Sequence, residues 1–127
     1  MIQIIEATLT DLEKIIPLFH KYREFYQVEY KLQEVEIFLT QRIEKSQSKI
    51  FFAIDRDKAI GFTQLYPSFS SLSLKPVWIL NDLYVDENFR KQGVGKMLLD
   101  AAKDFAIQTN SKGLTLTTGI ENETAQS

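Results

Sequence analysis

The chain has 127 residues, 44% of them hydrophobic and 25% charged, which is the profile of one ordinary globular domain that buries about two-thirds of its unfolded surface. A net charge of −2 and a sequence pI near 5.4 argue against nucleic acid as a partner, since no basic face is available to repay phosphate contacts. The absence of cysteine excludes disulfides, thiolate zinc sites and cysteine nucleophiles, and the single histidine, His20, reads as a boundary residue on an apolar helix, leaving no His-rich metal site.

The amino terminus, MIQIIEATLTDLEK, has no basic start followed by a long apolar stretch, and no later run approaches the ~20 apolar residues of a membrane helix, so a cytoplasmic protein off the membrane is expected. Ile2 to Ala7 alternates and reads as a first strand. Thr10 and Glu13 have the spacing of a capping box, followed by a stripe of Leu12, Ile15, Ile16, Phe19, Tyr22 and Tyr26 on one helical face, with Pro17 inside. A second helix carries Val35, Phe38, Leu39, Arg42 and Ile43 and ends near Ser46. Lys49 to Asp55 and Ala59 to Tyr66 read as an antiparallel pair joined by a tight turn at Asp55 to Lys58. Pro67 is expected to stop the second of these, and the segment from Pro67 to Pro76 reads as a loop.

Val77 to Val85 is the longest strand candidate, and it runs through Asp86 to Phe89 into Arg90-Lys91-Gln92-Gly93-Val94-Gly95. A helix follows, with Val94, Met97, Leu98, Ala101, Ala102, Phe105 and Ala106 on one face and Lys96, Asp100, Lys103 and Asp104 on the other. Gly113 then precedes a last strand, Leu114 to Thr118. This order predicts a single α/β domain over 1–127: a mixed sheet with helices on both faces, in which 77–85 and 114–118 are parallel neighbours joined by a right-handed crossover.

The glycine turn carries the chemistry. Glycines two apart let successive amides point outward, the helix they open adds its unpaired N–H groups and dipole, and Arg90, Lys91 and Lys96 add positive charge, so the junction suits a diphosphate. A P-loop would need glycine in place of Arg90 and Ser or Thr in place of Met97. The dinucleotide fingerprint would need a small residue in place of Leu98 and glycines directly after the strand. The alternative is a surface turn whose glycines merely start and cap elements.

Arg90, Gly93 and Gly95 match the [Arg/Gln]-x-x-Gly-x-[Gly/Ala] turn of the GNAT superfamily of N-acetyltransferases, and NDLYV, GFTQLYPSFSS and YREFY resemble its small bacterial members, so the likeness extends over essentially the whole chain. The resemblance implies acetyl-coenzyme A as co-substrate, no metal, and transfer by direct attack of an amine of a small molecule or protein on the thioester. It places the diphosphate on the amides of Lys91, Gln92, Gly93, Val94, Gly95 and Lys96 beside Arg90. It also lays the pantetheine arm along Leu83, Tyr84 and Val85, on a strand left half-unpaired, with an amide near Leu83 polarising the carbonyl.

Asp82 is the candidate general base. Asn81 stands where the family often carries an acidic residue, so a water relay, or a purely structural Asp82, is also open, and Asn81 itself is a candidate acceptor contact. Tyr26, within a segment rich in Tyr and Glu, is the acceptor-pocket candidate, whereas Tyr22 reads as core packing. Asn122 matches an asparagine that the family places near the cofactor. The tyrosine that commonly protonates the departing thiolate, and two final strands, have no counterpart before Ser127. A fragment, a partner subunit that covers the edge of 114–118, and a coenzyme A binding module without efficient catalysis each fit this end, and a homodimer through that edge is expected. Outside the family, a nucleotide-binding domain with another diphosphate ligand is the remaining reading.

Overall fold

The computed structural model describes residues 1–117. Five strands, β1 (Gln3–Glu6), β2 (Lys49–Asp55), β3 (Lys58–Ser70), β4 (Lys75–Val85) and β5 (Leu114–Leu116), form one sheet in chain order, antiparallel except for the parallel β4–β5 pair. Helices α1 (Leu12–Phe25) and α2 (Leu32–Glu44) cover one face, and α3 (Val94–Gln108) covers the other as the crossover between β4 and β5.

Each face has its own core, set by the alternation of side chains along the strands. Ile15, Phe19, Leu39, Phe52 and Phe62 pack beneath α1 and α2. Leu65, Leu80, Leu83, Val85, Leu98 and Ala102 pack beneath α3. Gly61 permits a close approach of α3: a Cβ there would lie 3.1 Å from Val94 Cγ1, 3.2 Å from Leu98 Cδ1 and 3.2 Å from the Tyr84 carbonyl oxygen. The turn at Arg56 and Asp57 has positive φ at both positions (52° and 67°), the left-handed pair that a two-residue hairpin requires.

Two expectations are corrected. The helix entry is closed two residues earlier than at Thr10 and Glu13: the Asp11 carboxylate accepts from the Thr8 amide at 2.8 Å, across a 3-10 turn over Leu9–Asp11. The segment after Tyr66 is not a loop, because β3 runs on to Ser70 and pairs with β4 from Lys75, with Pro67 opposite Trp78. Pairing of β2 with β3 ends at Lys49 and Leu65, so Pro67 lies where β3 has β4 alone as a neighbour and a missing N–H costs little. The strand expected over 114–118 pairs at Leu114, Thr115 and Leu116, and position 118 falls outside the described residues.

Candidate active site

A bulge in β4 builds the site. Gln64 faces Asp82 and Leu65 faces Leu80, so Asn81 is an extra residue with no partner on β3. Before the bulge, the Trp78 amide bonds the Gly113 carbonyl and the Leu80 carbonyl accepts from Thr117, so even-numbered residues turn their backbone toward β5. Beyond it the Asp86 amide bonds Ile60 of β3, and by the two-residue period of an antiparallel strand the backbone groups of Leu83 and Val85 face away from β3. Pairing with β5 stops at Leu80. Among the described residues the Leu83 and Val85 amides therefore line an open side of β4, whereas the Tyr84 backbone is directed at β3. The Val85 carbonyl on that open side accepts from Arg90 Nε at 2.9 Å.

The glycine turn adjoins this opening. Gly93 is the N-cap of α3 with φ of 82°, Lys91 also has positive φ (65°), and a Cβ on Gly93 would meet nothing within 4 Å. The first intrahelical bond is made by Met97 to the Gly93 carbonyl, so the amides of Val94, Gly95 and Lys96 have no carbonyl partner within the helix. Gln92 is exposed in the turn. The three cations behave differently from one another. Arg90 turns inward, its guanidinium 5.3 Å and 5.4 Å from the ring centres of Tyr84 and Phe25, Lys96 pairs with Asp100 at 2.9 Å, and Lys91 is exposed. Strand opening and amide cradle together fit a diphosphate carrying an extended, hydrogen-bonding arm.

The bulge also aims Asp82 at the opposite face. Asp82 is 7% exposed, and three neutral donors hold its carboxylate: Tyr22 Oη at 2.8 Å and Asn81 Nδ2 at 3.2 Å on Oδ1, and Gln64 Nε2 at 3.0 Å on Oδ2. A buried charge needs such donors. Asp82 opens into a cavity of about 380 Å³ together with Tyr22 and Tyr66, with Phe19, Val35 and Phe38 as apolar wall and Arg23, Lys31 and Glu34 from the helical side. Burial first, and the charge of Asp82 second, push the Tyr66 phenol up to about 12 against the pull of Arg42, so it stays neutral at working pH.

Asp82 thus lines the cavity and Asn81 reaches it only as a donor to Asp82, while Leu83, Val85 and the turn from Arg90 to Lys96 meet at the other side of the same strand. Tyr26 stands one ring further out, its ring edge-on to Tyr22 at 5.3 Å. Asn122 lies outside the described residues. Tyr22 and Gln64 join the site without having been singled out for it. Gln64 is fully buried although it sits mid-strand, and a polar side chain inside the apolar run IGFTQLY is the signal that could have found it. Among the described residues no cluster of His, Asp and Glu could hold a metal, and no helix is long and apolar enough to cross a membrane.

Comparisons with known proteins bear on the family and the fold. The model of the acetyltransferase (GNAT) family matches residues 15–127. The chain is 48% identical over 122 residues to the uncharacterized N-acetyltransferase YhfO of Bacillus subtilis (strain 168), covering 96% of this chain and 82% of that protein. It is 35% identical over 113 residues to a probable acetyltransferase of Haemophilus influenzae, covering 88% of this chain and 77% of the relative. A crystal structure of a probable acetyltransferase superposes with a TM-score of 0.90 at 46% identity, covering 98% of this chain and 83% of that one. A bulged strand open on one side, a glycine-capped helix beside it and these relatives lead to one conclusion: the chain belongs to the GNAT family of acetyltransferases.

Proposed function

We propose that the protein transfers an acetyl group from acetyl-coenzyme A to a primary amine, with the donor at the open side of β4 and the acceptor in the cavity of Asp82. The observation that carries this is the bulge at Asn81, which presents Leu83 and Val85 backbone groups to one side of the strand and the Asp82 carboxylate to the acceptor cavity. Acetyl-coenzyme A, when bound, would supply the thioester: its C–S bond breaks as the C–N bond to the acceptor forms, and coenzyme A leaves as the thiol, its sulfur taking the second proton that the nitrogen gives up. The amides of Val94, Gly95 and Lys96 would hold its diphosphate, and the outward amides of Leu83 and Val85 its arm and carbonyl.

Asp82 is the group that receives the acceptor. Its carboxylate attracts an ammonium, and Oδ2, with one hydrogen bond against two on Oδ1 among the described residues, would take the proton and free the amine to react. Tyr22, Asn81 and Gln64 fix the carboxylate, which supplies the orientation such a transfer needs. Thiol release from acetyl-coenzyme A in the presence of a panel of primary amines tests the reading. Saturable release that depends on both reactants is expected; no release with any amine, together with no acetylated product by mass, would overturn it.

A further inference from the structure

The acceptor cavity carries two opposite charges that have no charged partner among the described residues. Asp82 is held by neutral donors, and among the described residues no cation lies within ion-pair distance of it. Arg23, in the last turn of α1, lines the same cavity; its Nη1 donates to the Glu29 carbonyl at 2.8 Å, and among the described residues no carboxylate lies within ion-pair distance of it. Lys31, the other cation on the wall, differs: its ammonium is 3.4 Å from Glu34 and 3.9 Å from Glu29. Phe19, Val35 and Phe38 make the wall apolar, and about 380 Å³ is at the small end of the roughly 300–1,000 Å³ of ligand pockets.

We propose that the acceptor is a small amino acid with an apolar side chain, its ammonium on Asp82 and its carboxylate on Arg23. This rests on the acetyl-transfer reading of the cavity. A guanidinium matches a carboxylate in shape as well as charge, and a ligand that desolvates both Asp82 and Arg23 must neutralise both. A polyamine brings a second cation against Arg23. A peptide amino terminus has an amide where the carboxylate is needed, and a simple monoamine leaves Arg23 without a counter-charge.

The test compares L-leucine and L-phenylalanine with their carboxamides and with spermidine, by thiol release from acetyl-coenzyme A and by calorimetric binding. The free amino acids should exceed the carboxamides by at least about tenfold in kcat/KM, the worth of one charged hydrogen bond. Arg23→Gln should bring that ratio toward one, and Arg23→Lys should restore part of it. Preference for the carboxamides or for spermidine, or an unchanged ratio in Arg23→Gln, overturns the proposal. Should Arg23→Gln not fold, the ligand series on the wild-type chain decides alone. Calorimetric preference for the free amino acids without thiol release from any amine would uphold the ligand class and overturn the transfer reading.

Discussion

Replacing Asp82 by asparagine separates its charge from its shape. The carboxylate accepts from Tyr22, Asn81 and Gln64, and Gln64 is fully buried with its Oε1 lacking a hydrogen-bond partner among the described residues. In Asp82→Asn, a half-turn of the Gln64 amide presents that oxygen to the new Nδ2, while the retained carbonyl still accepts from Tyr22. Stability should therefore change by about 1 kcal/mol or less. In Asp82→Ala all three donors lose their acceptor. Gln64 cannot reach water, at about 1–3 kcal/mol, whereas Tyr22 and Asn81 can turn toward the cavity, so a total of roughly 2–4 kcal/mol is expected. Both variants should lose about 10²- to 10⁴-fold in transfer rate, the range of a positioned general base. Urea unfolding and thiol release measure the two quantities. Asp82→Asn working within tenfold of the wild type would refute the role given to the carboxylate. Asp82→Ala as stable as the wild type would refute the hydrogen-bond reasoning.

Gly61→Val places a Cβ 3.1 Å from Val94 Cγ1 and 3.2 Å from the Tyr84 carbonyl oxygen, and should destabilise by about 1–3 kcal/mol in urea; an unchanged midpoint would contradict the close approach of α3. Burial pushes the Asp86 carboxyl up, but the Asn88 amide and Lys21, 2.9 Å away, more than offset it and hold it below its ordinary 3.8. A lowered carboxyl contributes stability above its unfolded value that is lost as pH falls through the folded one. Lys21→Met should thus move acid unfolding to higher pH and cost about 1–2 kcal/mol near neutrality, a modest sum because Lys21 is half-exposed; an unmoved acid limb counts against the pair. Tyr66, raised from 10.0 to about 12, contributes stability present below pH 10 and lost as pH rises toward 12. Tyr66→Phe should flatten that part of the alkaline limb in a pH series of Tm, and identical limbs would contradict its burial.

Elements with local signals were legible. The stripes of α1 and α3, the turn at Arg56 and Asp57 and the glycine junction after β4 are written in short-range spacing, and the structure contains each of them. Pro67 misled because its acceptability depends on β2 ending at Lys49, a fact of the sheet and not of the segment. The Asn81 bulge exists only relative to Gln64 and Leu65 on the neighbouring strand, so NDLYV alone could not show that Asp82 leaves the face of Leu80 and turns toward α1. Tyr22 lies on the apolar stripe of α1 and packs against Phe19 and Phe62 as its position implies, yet its hydroxyl ends on Asp82, 60 residues away. Long-range pairing decides these roles, and periodicity does not encode it.

The central claim is that the Gly93 turn and the open side of β4 hold acetyl-coenzyme A. Calorimetric titration of the wild type and Gly93→Val with acetyl-coenzyme A tests it most directly. At φ of 82° a β-branched residue is strained by about 1–2 kcal/mol, but nothing lies within 4 Å of its Cβ, so the fold should persist while the side chain enters the amide cradle. One-to-one binding by the wild type, weakened at least about tenfold in a Gly93→Val chain that still unfolds cooperatively, is the expected result. Equal affinity in the two proteins, or no binding by the wild type, would contradict it.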